Sequence, residues 1–100
     1  MAETNLSVSW TDRSLSDSQI IKSYLQYYFS QKEIDNYYKL LESFEKIVSI
    51  FPTLYPQTNK NKDIRRAVLS KQLSVFYKTT KETIIVIAIL DNRMSDSKWP

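Results

Sequence analysis

The sequence predicts an α+β domain with the element order βααβββ: a helical hairpin packed on a small twisted antiparallel sheet. Three observations lead there. A short alternating segment opens the chain, residues 12–51 carry apolar side chains at helical spacing, and three strand-like segments divided by turn residues close it. The chain has 100 residues, so residues 1–100 read as a single domain. A chain of that size buries roughly 60–70% of its unfolded surface, enough for one core.

Leu6, Val8 and Trp10 alternate with Ser7 and Ser9, which is a strand with one apolar face. Thr11 or Asp12 then offers a helix N-cap. Leu15, Ile21, Tyr24, Leu25 and Tyr28 follow at helical spacing and predict a first helix over residues 12–29, its stripe thinned by Ser14 and Ser18. Ser30-Gln31-Lys32-Glu33 reads as a capping box that starts a second helix. Ile34, Tyr37, Tyr38, Leu41, Phe44, Ile47 or Val48, and Phe51 form its apolar stripe, and Pro52 ends it. With almost no loop between them, the two helices fold back as an antiparallel hairpin.

Residues 52–63 form an extended loop rich in turn formers (Pro52, Pro56, Asn59, Asn61). Strands over 64–69, 73–78 and 83–90 follow, joined through Ser70-Lys71-Gln72 and Thr79-Thr80-Lys81, so neighbours run antiparallel. The last is apolar on both faces, which places it centrally with cover on both sides. Residues 91–100 read as a loose tail in which Trp99 needs a place to bury.

Composition excludes several chemistries. The chain has no cysteine and no histidine, so thiolate catalysis, Ser-His and Cys-His arrangements and the commonest zinc ligands are absent. No carboxylate cluster has the loop spacing of a calcium or magnesium site, and no metal is expected. Glycine is also missing, which rules out Gly-rich phosphate loops and makes ATP and NAD poor cofactors; none is expected. Positive-φ turn positions then fall to Asn, Asp or Lys. The longest apolar run, residues 84–90, is far short of the ~20 needed to cross a bilayer. The N-terminus lacks the basic and apolar regions of a signal peptide, so a cytoplasmic location away from membranes is expected. Residues 1–50 carry five basic and seven acidic side chains, and residues 51–100 nine and four; the second half is the face for an acidic partner.

The order of strand, helical hairpin and antiparallel meander resembles the RelE/ParE toxin superfamily. Trp10-Thr11-Asp12-Arg13-Ser14-Leu15 with Ile21, Tyr24 and Leu25 looks like its opening strand and first helix. Phe51-Pro52-Thr53-Leu54-Tyr55-Pro56 looks like the close of its second helix. Ile64-Arg65-Arg66-Ala67-Val68-Leu69, Val75-Phe76-Tyr77-Lys78 and the run from Ile87 to Arg93 are similar to its three C-terminal strands. The resemblance covers nearly the whole chain and implies a growth-inhibiting toxin, of the plasmid-stabilization kind, that binds a cognate antitoxin in a hetero-oligomer.

The superfamily divides by target. RelE-like members cut messenger RNA in the ribosome with a cluster of Arg and Lys and a C-terminal Tyr or His; ParE-like members poison DNA gyrase. Here the position resembling a frequent family Arg is Ser74, the position of a frequent His is Asp91, and no Tyr follows Arg93. These departures favour the ParE-like branch, a toxin that binds rather than an enzyme, and no catalytic residue is assigned. The alternatives are a RelE-like ribosome-dependent endoribonuclease, or a degenerate member that mainly binds its antitoxin. Arg65, Arg66, Lys71, Tyr77 and Arg93 are the expected target-binding residues. Arg65 and Arg66, adjacent on a strand, point to opposite faces. Ion pairing is the competing role for the arginines, and packing for Tyr77. Tyr27-Tyr28 and Tyr37-Tyr38 cannot all face one core stripe, so Tyr27 and Tyr38 are the expected antitoxin contacts.

Overall fold

Thr11 starts the first helix. Its backbone is extended, and its Oγ1 accepts the Ser14 N–H at 3.1 Å. Ser14 is buried and donates its own hydroxyl to the Thr11 carbonyl at 2.9 Å. In the computed structural model, which describes residues 5–93, the elements are β1 (Ser7–Trp10), α1 (Asp12–Tyr28), α2 (Gln31–Ile50), β2 (Arg65–Val68), β3 (Leu73–Thr79) and β4 (Thr83–Asp91). Trp99 and most of the expected tail lie outside the described residues.

Only Phe29 and Ser30 separate the helices, which are stitched across by the Tyr37 hydroxyl donating to Ser18 Oγ at 2.9 Å. Ser18 thins the apolar stripe but supplies this link. The α2 face toward the sheet is Ile34, Tyr37, Leu41, Phe44 and Val48; α1 contributes Ser14, Ile21 and Leu25. Four residues of the expected apolar stripes are exposed, Leu15 and Tyr28 on α1 and Ile47 and Phe51 on and after α2, and Tyr38, the expected surface contact, is exposed as well. A helix presents one stripe to a flat sheet, and these side chains flank it.

The capping box does not form. Ser30 makes no side-chain cap bond, although the Glu33 N–H reaches the Ser30 carbonyl at 3.0 Å. The Glu33 carboxylate turns instead to Arg93 Nη1 at 3.6 Å. An ion pair with a cation fixed by other contacts replaces the reciprocal cap.

The sheet has the order β1-β4-β3-β2, with β4 central as its two-sided apolarity requires. It is mixed: β2, β3 and β4 are antiparallel neighbours, but β1 runs parallel to β4 with Ser7 opposite Thr83 and Trp10 opposite Val86. The all-antiparallel sheet expected from the sequence is corrected here, and the path of the chain explains it. Past β1, α1 continues along the flank of β4: Thr11 Oγ1 donates to the Ile87 carbonyl at 3.1 Å, Asp17 Oδ2 accepts the Ile89 N–H at 3.1 Å, and the Tyr24 hydroxyl donates to the Arg93 carbonyl at 3.0 Å. α2 returns, bringing Glu45 and Ser49 back beside β1. β2, β3 and β4 then reverse in turn, so β4 ends up running with β1.

Asp17 has a second effect. β1 stops at Trp10 while β4 continues to Asp91, and the Asp17 carboxylate supplies an acceptor that a longer β1 would have offered to Ile89. A register shift between Phe76 and Tyr77 leaves Ile87 unopposed on β4. The main core lies between the sheet and the hairpin and is built around Leu25, Phe44, Val48, Val75, Tyr77, Ile84 and Val86. A smaller cluster of Ile64, Phe76 and Ala88, with Ile87 and Leu90 against it, lies apart from it.

No described residue has positive φ, so the expected Asn, Asp or Lys in left-handed turns is not used. Hydroxyl side chains build the turns instead. Ser70 Oγ accepts the N–H groups of Gln72 and Leu73, both at 3.2 Å, and Thr80 Oγ1 accepts those of Glu82 and Thr83 at 3.2 and 3.0 Å. These local bonds hold a turn without a left-handed residue.

Candidate functional site

The five expected target contacts separate into scaffold and surface. Arg65 and Tyr77 are opposite one another in the β2–β3 register. Arg65 Nη1 donates to the Tyr55 carbonyl at 2.8 Å and lies 3.4 Å from that of Thr53, while the Tyr77 hydroxyl donates to the Pro52 carbonyl at 2.9 Å. Together they fasten the start of the loop that follows α2. Tyr77 is fully buried, edge-on to Phe44 at 5.6 Å and to Tyr55 at 6.2 Å between ring centres. Burial pushes its phenol up to about 12. A ring with no exposed surface cannot touch a target, so the expectation for Tyr77 is corrected to a packing role.

Arg93 is also engaged. Its Nε and Nη2 donate to the two carboxylate oxygens of Asp91 at 2.9 and 2.6 Å. Its own N–H donates to Asp91 Oδ1 at 2.9 Å, Glu33 is 3.6 Å away, and the guanidinium carbon stands 5.1 Å from the Phe29 ring centre. The hydrogen bond to Asp91 raises the Arg93 pKa above its ordinary value. The Asp91 side chain has no exposed surface. This cluster ties the end of β4 to the turn between the helices.

Arg66 points to the opposite face from Arg65, as strand alternation requires. Its Nε donates at 3.2 Å to the hydroxyl of buried Ser74, the position that departs from the family pattern. Lys71 is exposed in the β2–β3 turn, where its carbonyl accepts Asn92 Nδ2 at 3.0 Å. Among the described residues no group of His, Cys, Asp and Glu side chains converges to hold a metal, and no helix is long and apolar enough to cross a membrane.

The two expected antitoxin contacts lie in different places. Tyr27 is 81% exposed at the end of α1, where its ring meets Tyr28 edge-on at 4.8 Å. Tyr38 instead lines a groove of about 360 Å³ between the helices, with Trp10, Leu15, Ser18, Leu41, Glu42 and Glu45. Trp10 Nε1 donates to Glu45 Oε2 at 2.8 Å and so fixes the indole against α2. The sequence reading expected Tyr38 at a surface but missed the groove, because it placed Leu15 in the core stripe. The available signal was the spacing of Tyr38, Glu42 and Glu45, which puts two acids on the same side of α2 as the tyrosine.

No family model and no curated protein matches the chain. Solved structures do. A chain of the chromosomal ParDE TA system from P. aeruginosa superposes with a TM-score of 0.70 at 15% identity, covering 86% of this chain and 95% of that one. The conserved hypothetical protein HP0894 from Helicobacter pylori gives 0.57 at 13% identity, covering 88% and 96%. A chain of the E. coli DinJ-YafQ toxin-antitoxin complex gives 0.51 at 14% identity, covering 89% and 94%. The two helices on an open four-stranded sheet are shared with these structures over most of this chain and nearly the full length of each of theirs.

Proposed function

We propose that this chain is the toxin of a type II toxin–antitoxin pair, of the ParE-like kind, held silent by a cognate antitoxin and acting in the cytoplasm by binding a target such as DNA gyrase. Growth inhibition and plasmid stabilization are the roles that go with such a pair. The fold supports the superfamily, and one observation favours binding over cutting: Arg65 and Arg93, two of the cations a nuclease cluster would use, are already engaged in scaffold contacts. Cleavage through a 2′-hydroxyl needs a proton acceptor and cations converging on one phosphate. Arg65 is held by loop carbonyls, and Arg93 by Asp91 and Glu33. Tyr77 is buried with its phenol pushed up to about 12, so it offers no base near neutral pH. Lys71, exposed in the β2–β3 turn, remains as a target contact, and Tyr38 with Tyr27 as the antitoxin contacts.

Induced expression of the chain arrests growth on this reading, and co-expression of the antitoxin restores it. The purified chain inhibits gyrase supercoiling and leaves ribosome-bound mRNA intact. Cleavage of mRNA at defined codon positions, with supercoiling unaffected, would replace this reading with the RelE-like one.

A further inference from the structure

β4 is apolar on both faces, and the helical hairpin lies over only one of them. On the other face the register sets Arg66 opposite Phe76 and Phe76 opposite Ala88, a row that crosses three strands. Phe76 and Ala88 have no exposed surface. Side chains on one sheet face stand side by side about 5 Å apart, so they cover one another's flanks and not their tops. Ile87 and Leu90 flank the row on β4, and Ile64 packs against it from just before β2. A phenylalanine buried in the middle of such a row calls for a large apolar group above it. Trp99 is the large apolar side chain for which the sequence requires a place to bury.

We propose that residues 94–100 turn back at the end of β4 and cross the outer face of the sheet, seating Trp99 on Phe76 and Ala88 beside Arg66. The lengths agree. β4 ends at Asp91, three residues past Ala88, which is about 10 Å along a strand. Ser95, Asp96 and Ser97 are turn formers. A reversal centred on Ser95 and Asp96 leaves residues 97–99 to run back about 10 Å and brings Trp99 level with Ala88. The chemistry agrees as well. An indole gains from an aromatic neighbour at Phe76 and from a guanidinium at Arg66. The tether decides among occupants. A separate partner must bind from dilute solution, whereas this segment is joined to β4 a few residues away, at an effective concentration on the order of millimolar. Arg66 then belongs to the seat of the tail, and Lys71 to the open surface. This cover does not depend on the function proposed above.

The test uses the whole chain. It has two tryptophans and no cysteine, so Trp10→Phe leaves Trp99 as the single emitter, and an introduced cysteine carries a nitroxide quencher to one chosen place. Trp99 emission is blue-shifted from that of a free peptide of residues 94–100, and acrylamide quenches it about five-fold less. A nitroxide at Lys78→Cys, exposed on the outer face two residues from Phe76, quenches Trp99. One at Ser43→Cys, exposed on α2 across the sheet, does not. Trp99→Ser lowers the folded-to-unfolded ratio in urea about ten-fold. Circular dichroism and thermal melting show that each labelled variant is folded. If Trp10→Phe disturbs the fold, the difference between the wild type and Trp99→Phe isolates the same emission.

Peptide-like emission and quenching of Trp99, equal quenching from the two labels, or unchanged stability of Trp99→Ser overturns the proposal. A mixing experiment separates this chain's own tail from a second copy's. Labelled Trp10→Phe/Trp99→Phe/Lys78→Cys chain is added to unlabelled Trp10→Phe chain, and no quenching is expected. Quenching in that mixture would assign the cover to a second copy and overturn the proposal too.

Discussion

Arg93→Ala tests whether this arginine belongs to the target surface or to the scaffold. The Asp91 carboxylate, with no exposed surface, accepts two side-chain bonds from Arg93 at 2.9 and 2.6 Å and a backbone bond at 2.9 Å. Truncation leaves that carboxylate buried with the backbone N–H alone. Removing one partner of a buried ion pair costs about 3–5 kcal/mol, because the other charge is stranded. The Arg93 side chain is 25% exposed, so water enters the vacated space and the expected loss is at the low end or below, about 2–3 kcal/mol. For a domain of this size that lowers Tm by about 10–20 °C.

The two partners are not equivalent. Asp91→Asn leaves Arg93 with Glu33 at 3.6 Å and partial access to water, so it costs about 1 kcal/mol, less than Arg93→Ala. The Asp91→Asn/Arg93→Ala double variant is more stable than Arg93→Ala alone, since no charge is stranded. Urea unfolding followed by circular dichroism measures all three. An Arg93→Ala midpoint equal to that of the wild type, or a larger loss in Asp91→Asn, would refute the reasoning and return Arg93 to the candidate target surface.

Other outcomes follow from single contacts. Thr11→Ala costs about 1 kcal/mol, because its Oγ1 caps α1, whereas Ser30→Ala changes stability by less than about 0.5 kcal/mol, because its side chain caps nothing. Equal losses in urea unfolding would contradict the capping assignments. Burial raises both Tyr37 and Tyr77 from 10.0 to about 12. A folded-state pKa above the unfolded value gives stability that is full below about pH 10 and lost as pH rises toward about 12. Burial raises Tyr55 as well, so tyrosinate absorbance shows Tyr37 and Tyr77 titrating last among the seven tyrosines, and a single step near the ordinary value with native circular dichroism would exclude this. On the proposed function, Tyr38→Ala weakens antitoxin binding more than Tyr27→Ala, because of the two only Tyr38 lines the groove; calorimetry giving the reverse order would move the contact to the hairpin end.

Local signals in the sequence are strong where one interaction decides. Period-two and helical spacing located every element, Pro52 marked the end of α2, and the two-sided apolarity of residues 83–90 placed β4 at the centre. Signals failed where distant groups competed. The Ser30–Glu33 pattern is complete locally, yet Glu33 finds Arg93 across the fold. The direction of β1 depends on the number of reversals between it and a partner some seventy residues away, which no neighbouring residue encodes. Side chains flanking the core, such as Leu15 and Tyr38, share its spacing and differ only in angle around the helix. The ion pair of Arg93 with Asp91 was legible as a competing role, because two residues of opposite charge lay two positions apart.

On the proposed function, the occupied cations also bear on how the toxicity of variants is to be read. The loop of residues 52–63 has no helix, and Arg65 and Tyr77 bind three of its carbonyls between them. Arg65→Ala therefore releases this segment, and Arg93→Ala loosens the far end of β4. Both lower the amount of folded protein, since a loss of one or two kcal/mol changes abundance several-fold in cells. A growth assay alone would score both as target contacts. Lys71 is different: its side chain is exposed, and it is the backbone carbonyl that accepts the hydrogen bond from Asn92 Nδ2. Plotted as toxicity against folded abundance, Arg65→Ala and Arg93→Ala fall on the line drawn by destabilised core variants such as Val48→Ala. Lys71→Ala falls below that line, losing toxicity at unchanged abundance. If Lys71→Ala lies on the line while Arg65→Ala drops beneath it, the loop staple is itself the contact surface, and the division into scaffold and target residues is wrong.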